Sequence, residues 1–166
     1  SRRRQRQMCI RDRNISYQES TIKGDIVGTT GQIPTEIGNL TELKGLKINR
    51  IHSLTGTIPT EIGNLRQLNN LNMQFMNGLN GQIPPQIGKL GQLKELYMNT
   101  MTGLNGQIPT EIGNLTELKG LNMVNMSKNG QIPTEIGNLR QLNNLNMQVM
   151  NGLNGQIPPQ IGKLGQ

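Results

Sequence analysis

Residues 68–92 have the sequence LNNLNMQFMNGLNGQIPPQIGKLGQ, and the spacing of their apolar side chains indicates the fold. Leu68 and Leu71 are three residues apart, and Met73 follows two residues after Leu71. Side chains that alternate along an extended chain lie on one face, so this change of spacing predicts a short β-strand over 70–73. Leu71 and Met73 are then expected to face a core.

The second half of this stretch has a different period. Pro84 has no backbone donor and a fixed φ, so it ends an extended pairing and begins a turn. After it, Ile87, Leu90 and Leu93 recur every three residues. A period of three fits a tight 3₁₀ helix better than an α-helix. In corresponding stretches a glutamate stands two residues after the proline, where a carboxylate favours a helix start. These glutamates are Glu61, Glu111 and Glu135.

The same pattern recurs along most of the chain. The dipeptide Ile-Pro occurs at residues 33–34, 58–59, 83–84, 108–109, 132–133 and 157–158. Successive pairs are therefore 25, 25, 25, 24 and 25 residues apart. The chain divides into a half unit and five full units, which are 31–42, 43–67, 68–92, 93–117, 118–141 and 142–166. One such unit cannot bury a core alone, so the repetition predicts a solenoid in which each unit is stabilised by its neighbours.

The pattern LxxLxΦxxxNGLNGQIPPQIGKL, in which Φ is Ile or Met, resembles the leucine-rich repeat. The resemblance is to the form common in plant receptor-like proteins and receptor kinases, which carries a G-x-I-P turn and has repeats of about 24 residues. It covers roughly residues 31–166. The resemblance implies an α/β-type solenoid, that is, a curved stack with a parallel β-sheet on the concave face and short 3₁₀ or irregular segments on the convex side.

The resemblance also implies an inward-pointing asparagine two residues before the leucine that follows the strand. Asn77 and Asn151 match this position. Other residues stand there in the remaining units, namely Ser53, Thr102 and Met126. In the 24-residue unit Lys128 also takes the leucine position, so we expect residues 126–128 to be the weakest part of the stack.

The basic charge of the chain is concentrated at its beginning. The formal net charge is +7, but residues 1–13 hold six arginines and one acid, Asp12, and the rest of the chain has a net charge of only +2. An arginine-rich arm that binds nucleic acid is the alternative, but we expect no nucleic-acid partner. We interpret 1–13 as a non-native or disordered basic tail, 14–30 as a degenerate or partial N-terminal repeat, and 31–166 as the repeat domain with a truncated C-terminus.

Function is expected on the concave face, which we define by three columns of strand residues whose side chains alternate with the inward ones. The first column is Gly45, Asn70, Glu95, Gly120 and Asn144. The central column is Lys47, Asn72, Tyr97, Asn122 and Asn146. The third column is Asn49, Gln74, Asn99, Val124 and Gln148. Because binding hot spots favour aromatic residues and arginine, the best anchors are Arg50, Phe75 and Tyr97. The full set of candidate ligand-binding residues is Lys47, Arg50, Asn72, Phe75, Glu95, Tyr97, Asn122 and Asn146.

Four N-x-S/T sequons point to a protein exposed to the secretory pathway. They begin at Asn14, Asn39, Asn114 and Asn125. We therefore expect an extracellular or cell-surface location, with an intracellular one as the alternative. The sequence shows no long apolar run, so membrane attachment would need a segment outside this chain.

The chain offers little for catalysis. His52 is the only histidine and Cys9 the only cysteine, and the repeated glutamates stand one to a unit. No nucleophile, base and orienting group can be combined from these residues, and no phosphate-binding loop is visible. We expect no enzyme activity, no catalytic residue, no cofactor and no metal site.

Two functional hypotheses remain. The first is a ligand-recognition module, part of a receptor-like protein, that binds a protein, peptide or glycan. The second is a structural or scaffold repeat protein without a dedicated ligand, or the non-catalytic part of a receptor kinase. Residues 58–92 and 132–166 differ only at Phe75 and Val149, and this block duplication favours the scaffold.

Overall fold

A computed structural model describes residues 20–23, 31–125, 130–149 and 155–164 of the chain. Within these ranges short β-strands and short 3₁₀ helices alternate along the sequence. The strands are β1 (Ser20–Lys23), β2 (Gly45–Asn49), β3 (Asn70–Asn72), β4 (Glu95–Tyr97), β5 (Gly120–Asn122) and β6 (Asn144–Asn146). The 3₁₀ helices are η1 (Thr35–Asn39), η2 (Thr60–Asn64), η3 (Pro85–Lys89), η4 (Thr110–Asn114), η5 (Thr134–Asn138) and η6 (Pro159–Lys163).

The strands form one parallel sheet in sequence order, β1 to β6, within the described residues. Its register places equivalent residues of successive repeats side by side. The inward leucines, for example, form the row Leu46, Leu71, Leu96, Leu121 and Leu145. In these ranges each strand contacts only the preceding and following strands, and each 3₁₀ helix contacts only the preceding and following 3₁₀ helices. The structure is therefore a leucine-rich-repeat solenoid, as the repeat pattern predicts.

The predicted strand over 70–73 is confirmed, with Leu71 and Met73 buried beneath it. Asn70 and Asn72, which alternate with these residues, are half-buried on the other side of the sheet. Met98 and Met123 occupy the place of Met73 in the next two repeats and are also buried. The flexible thioether fills this slot as leucine would, with a small loss of stability at most.

The three-residue period after each proline has a direct structural cause. The Ile87 N–H donates to the Pro84 carbonyl, the Leu90 N–H to Ile87, and the Leu93 N–H to Leu90, at 2.9, 3.1 and 2.9 Å. Each apolar residue thus follows its predecessor by one 3₁₀ turn, and all three side chains point into the core. Gly88 allows close stacking, because a β-carbon there would lie 2.5 Å from the Glu111 carbonyl oxygen of the next repeat.

The prediction that an asparagine points inward two residues before the leucine that follows the strand is wrong. Asn77 is exposed, and Met76, one residue earlier, is completely buried. Ile51 and Met101 hold the same buried position in the adjacent repeats, whereas Thr102 is exposed. The 25-residue repeats therefore carry their extra residue after the inward side chain rather than before it. Ser53 is half-buried and stands one residue beyond the equivalent of Asn77, which in that repeat is the exposed His52. The other residues of this expectation, Asn151, Met126 and Lys128, lie outside the described residues.

A second backbone ladder replaces the missing asparagine. The Leu79 N–H donates to the Met76 carbonyl at 3.2 Å and closes a turn over the extra residue. The next residue, Asn80, donates its N–H at 2.7 Å to the Gly56 carbonyl of the preceding repeat. Gly56 and Leu79 form an isolated parallel bridge, and Gly81 and Leu104 form the next one. The loop's polar backbone groups are therefore paired between repeats, as buried backbone requires.

Candidate functional site

The central column of the concave face is a continuous row of neighbours. The strand register aligns Lys47, Asn72, Tyr97, Asn122 and Asn146 directly with one another. Each of these residues is half-buried. Adjacent parallel strands are about 4.8 Å apart, so the row extends over about 19 Å. Six of the eight candidate residues, these five and Glu95, thus lie in two adjacent columns of one sheet.

Several amides of this face already bond to the protein backbone. Asn72 Oδ1 accepts the Gln74 N–H at 3.4 Å, and Asn146 Oδ1 accepts the Gln148 N–H at 3.3 Å. Asn99 Oδ1 accepts the Val124 N–H of the next repeat at 3.3 Å. These oxygens stabilise the ends of the strands, so Asn72 and Asn146 offer a ligand mainly their amide nitrogens.

Glu95 and Tyr97 form a side-chain pair on β4. The Tyr97 hydroxyl donates to Glu95 Oε2 at 2.8 Å, and both residues are half-buried. This hydrogen bond, followed by burial and by the negative charge of Glu95, raises the pKa of the Tyr97 hydroxyl. The bond and the charge both favour the neutral phenol.

Asn122 lies beside Tyr97 on the neighbouring strand. Its Oδ1 is buried and has no hydrogen-bond partner. An unpartnered buried acceptor is costly, since most buried polar atoms are paired. Glu95, Tyr97 and Asn122 therefore bring three oxygen-bearing side chains together at one part of the concave face.

Arg50 and Phe75 also come together, although they lie 25 residues apart in sequence. The Arg50 guanidinium carbon is 5.7 Å from the centre of the Phe75 ring, a cation–π contact. Both residues follow their strands at the edge of the concave face, one position beyond the third column. Their N–H groups donate to Gln74 and Asn99 of the next repeats at 3.0 and 2.9 Å.

Arg50 and Phe75 belong to a further column that the sequence pattern did not predict. Its members have left-handed backbone, with φ values of 53 to 59° in Arg50, Phe75, Thr100, Asn125 and Val149. Glycine and asparagine adopt this conformation with little strain, but arginine, phenylalanine, threonine and valine do not. Only Asn125 carries a residue type that could have signalled it. The conformation aims the N–H groups of Arg50, Phe75, Thr100 and Asn125 at the following repeat and continues the ladder past the strand.

Three exposed lysines were missed as well. Lys44, Lys94 and Lys119 each stand just before a concave strand and are exposed. They form a basic margin along the edge of the sheet opposite Arg50 and Phe75. A signal was available, because this position carries lysine in three of the five full repeats and asparagine in the other two.

Two of the four sequons lie on the 3₁₀ helices. Asn39 and Asn114 are the last residues of η1 and η4, and both are exposed. Asn125 is half-buried and belongs to the left-handed column. Asn14 lies outside the described residues.

His52 is exposed. Among the described residues, no group of three or more His, Cys, Asp or Glu side chains is placed to hold a metal ion. Within the same ranges, no helix has the length and apolar character needed to cross a membrane.

Solved structures of plant receptors share this architecture. The leucine-rich-repeat ectodomain of the receptor kinase SOBIR1 from Arabidopsis thaliana is 28% identical, with a TM-score of 0.66, and the match covers 78% of this chain and 68% of that one. The HAESA ectodomain from Arabidopsis, in complex with an IDA peptide hormone, is 30% identical, with a TM-score of 0.66 and coverage of 81% and 22%. The plant peptide hormone receptor RGFR1, in complex with RGF2, is 33% identical, with a TM-score of 0.57 and coverage of 81% and 25%. The chain thus spans about a quarter of the HAESA and RGFR1 chains and about two thirds of the SOBIR1 chain.

A comparison with curated protein sequences finds no match. The family model of the leucine-rich repeat region, however, matches residues 25–164. This match covers most of the chain and agrees with the parallel sheet, the 3₁₀ helices and the repeat length. The chain belongs to the leucine-rich-repeat family, in its plant-type form with the G-x-I-P turn.

Proposed function

We propose that this chain is the ligand-recognition part of a receptor-like leucine-rich-repeat protein and that its concave face binds a peptide. The observation that carries the proposal is the aligned central column, from Lys47 to Asn146, on one face of the parallel sheet. Such a face presents a fixed array of hydrogen-bonding groups to an extended ligand. An extended peptide of about six residues would match its length of about 19 Å.

A peptide fits this face better than a glycan does. Lys47 and Glu95 provide opposite charges, and Tyr97 and Phe75 provide aromatic surface, so different peptide side chains would find different partners. Of the similar receptors, HAESA was solved with a peptide hormone, and RGFR1, a plant peptide hormone receptor, was solved with RGF2. A glycan would use mainly the amides, of which Asn72 and Asn146 are partly engaged by the backbone.

We propose a cell-surface or extracellular location. The exposure of Asn39 and Asn114 supports it, because a glycan on either residue would not disturb the core. Expression in a secreting eukaryotic host should give a mass shift that glycosidase treatment removes. Asn39→Gln and Asn114→Gln should each reduce the shift, and a chain that stays unmodified would contradict the assignment.

We also propose that residues 14–30 supply a partial N-terminal repeat and that residues 1–13 do not belong to the repeat domain. Pairing of β1 with β2 in parallel register supports the first point. Deleting 1–13 should leave the unfolding midpoint unchanged, and deleting 1–30 should lower it because β2 would lose its neighbour. Equal effects of the two deletions would contradict this division.

The peptide-binding proposal can be tested with a library of random hexapeptides displayed on phage and selected against the full chain. Enriched peptides would then be synthesised and titrated by calorimetry. Lys47→Glu, in the central column, should weaken binding of a selected acidic or polar peptide at least about tenfold. Lys89→Glu makes the same charge change on η3 and should have no effect.

The alternative function is a scaffold whose repeats provide length. The near-identity of residues 58–92 and 132–166 favours it, because repeats that contact distinct parts of a ligand are expected to differ. Failure to enrich any peptide would favour the scaffold. So would peptides that bind Lys47→Glu and Lys89→Glu equally well.

A further inference from the structure

Glu95 is the only carboxylate in the three columns of the concave face. In the part of the chain that the structure describes, no lysine or arginine forms an ion pair with it, and its hydrogen-bond donor is Tyr97. Lys47, the basic residue of the central column, lies two strands away from Tyr97. A half-buried carboxylate without a cation retains much of its attraction for one, because the sheet and its neighbours exclude part of the screening solvent.

The carboxylate is held in a defined place. Tyr97 binds Oε2 at 2.8 Å and leaves Oε1 for another donor. The neighbouring strand has Gly120 at the position facing Glu95. A β-carbon on Gly120 would overlap the carboxylate and lie 3.0 Å from its Cδ. The glycine therefore forms a notch in which the carboxylate rests against the sheet.

A third acceptor completes the arrangement. Asn122 Oδ1 has no partner and lies on the strand beside Tyr97. Glu95 and Tyr97 thus present acceptor oxygens and one negative charge beside an aromatic ring, and Asn122 adds its acceptor when its buried amide oxygen turns outward. A guanidinium group matches this set, because it is planar, carries five N–H donors, bonds to a carboxylate through two of them and stacks on aromatic rings.

We propose that Glu95, Tyr97 and Asn122 form a subsite that binds an arginine side chain of the ligand. The inference rests on the proposed peptide-binding function and specifies its chemistry. Arginine is favoured over lysine because the ammonium group is a compact point charge that cannot bond both carboxylate oxygens in one plane. The Arg50–Phe75 contact shows that this face already accommodates a guanidinium against an aromatic ring.

Tyrosine fluorescence provides a local readout. The chain has two tyrosines and no tryptophan, so Tyr17→Phe leaves Tyr97 as the only strong emitter. The Tyr97–Glu95 hydrogen bond makes this emission sensitive to a cation at the carboxylate. The probe is N-acetyl-arginine amide, titrated into the full chain at constant ionic strength, with N-acetyl-citrulline amide as its neutral counterpart.

We expect a saturable change of emission with the arginine probe and none with the citrulline probe. Glu95→Gln should weaken binding of the arginine probe about tenfold or more, because a charge-assisted bidentate contact is lost. Glu117→Gln, which removes an exposed carboxylate elsewhere, is the matched control and should change nothing. Equal responses to arginine and citrulline, or an unaffected Glu95→Gln variant, would overturn the proposal.

Gly120→Ala tests the notch without altering charge. The added methyl group should displace the carboxylate and weaken the arginine probe severalfold, while circular dichroism verifies the fold. N-acetyl-lysine amide should bind severalfold more weakly than the arginine probe, and equal binding would overturn the assignment to a guanidinium.

The hexapeptide selection separates this inference from the proposed function. Peptides that bind the concave face without a preference for arginine, and bind Glu95→Gln unchanged, would overturn the subsite and leave the peptide-binding function intact. A saturable response to the arginine probe without any selected peptide would support the subsite and contradict the peptide-binding function. Enrichment of arginine at one peptide position, lost in Glu95→Gln, would support both.

Discussion

Gly78 lies so close to the preceding repeat that a β-carbon on it would overlap the Leu54 carbonyl oxygen. The same hypothetical atom would be 2.9 Å from the His52 carbonyl oxygen. Gly78 does not have a positive φ, so its requirement for glycine is steric and not conformational. The obstacle is backbone, which cannot move aside as a side chain can.

Gly78→Ala should therefore destabilise the stack by about 3 kcal/mol, at the upper end of the range for overpacked sites. Gly91→Ala is the matched control, because Gly91 has no atom within 4 Å of its hypothetical β-carbon. That variant should stay within about 1 kcal/mol of the parent. Urea unfolding followed by circular dichroism measures both, and equal losses would show that the two glycines are not distinguished by packing.

Thr100→Asn should stabilise the protein by about 1 kcal/mol. Thr100 is a β-branched residue with a φ of 55°, a conformation that asparagine tolerates far better. Thr102→Asn makes the same change two residues later, at an exposed position without positive φ, and should have an effect within about 0.5 kcal/mol. A loss of stability in Thr100→Asn would mean that the contacts of the threonine side chain stabilise the fold by more than its backbone strain destabilises it.

Met76→Asn should destabilise the protein by about 3 kcal/mol, although asparagine is the residue that the family resemblance implies near this place. Met76 is completely buried, and the nearby loop already pairs its backbone with the preceding repeat. The asparagine would lose packing and leave polar groups unsatisfied. Met76→Leu preserves apolar volume and should change the free energy of unfolding by less than about 1.5 kcal/mol.

Tyr97 should ionise above its ordinary pKa of 10.0 in the folded protein. A raised pKa in the folded state means that the neutral phenol is stabilised there, so this contribution to stability is complete below pH 10.0 and declines as pH rises towards the folded value. Phenolate absorbance of the Tyr17→Phe variant measures the titration. Glu95→Gln should shift the midpoint down towards 10.0, and Glu117→Gln should leave it in place.

Much of the fold follows from apolar spacing alone. The change from a period of three to a period of two predicted the strand at 70–73, and the return to three predicted the 3₁₀ helix after Pro84. Because the repeat length sets the register, the spacing also predicted that Tyr97 lies beside Asn122. The location of the extra residue did not follow. The spacing from Met73 allows either Met76 or Asn77 to turn inward, and family resemblance favoured the wrong one, since burial of the apolar residue decides it.

The candidate site was only partly predictable. Glu95 and Tyr97 are two residues apart on a strand, so a shared face was expected, but a hydrogen bond depends on side-chain rotamers that no pattern specifies. Prediction of the notch at Gly120 requires both the strand register, which places this residue opposite Glu95, and the absence of a side chain there. The left-handed backbone of Arg50 and Phe75 was hidden because their residue types disfavour it. The assignment of all eight candidate residues to ligand binding stays a prediction.

Contacts between the described elements are confined to adjacent repeats, and this has a consequence for inheritance. Unequal recombination can copy a block of whole repeats without changing the repeat boundaries. The two repeat surfaces that meet at the new junction then resemble surfaces that already pack together elsewhere in the solenoid. The near-identical stretches 58–92 and 132–166 are what such an event leaves behind. The number of units, and with it the reach of the concave face, can thus change in a single genetic step without a new interface having to evolve.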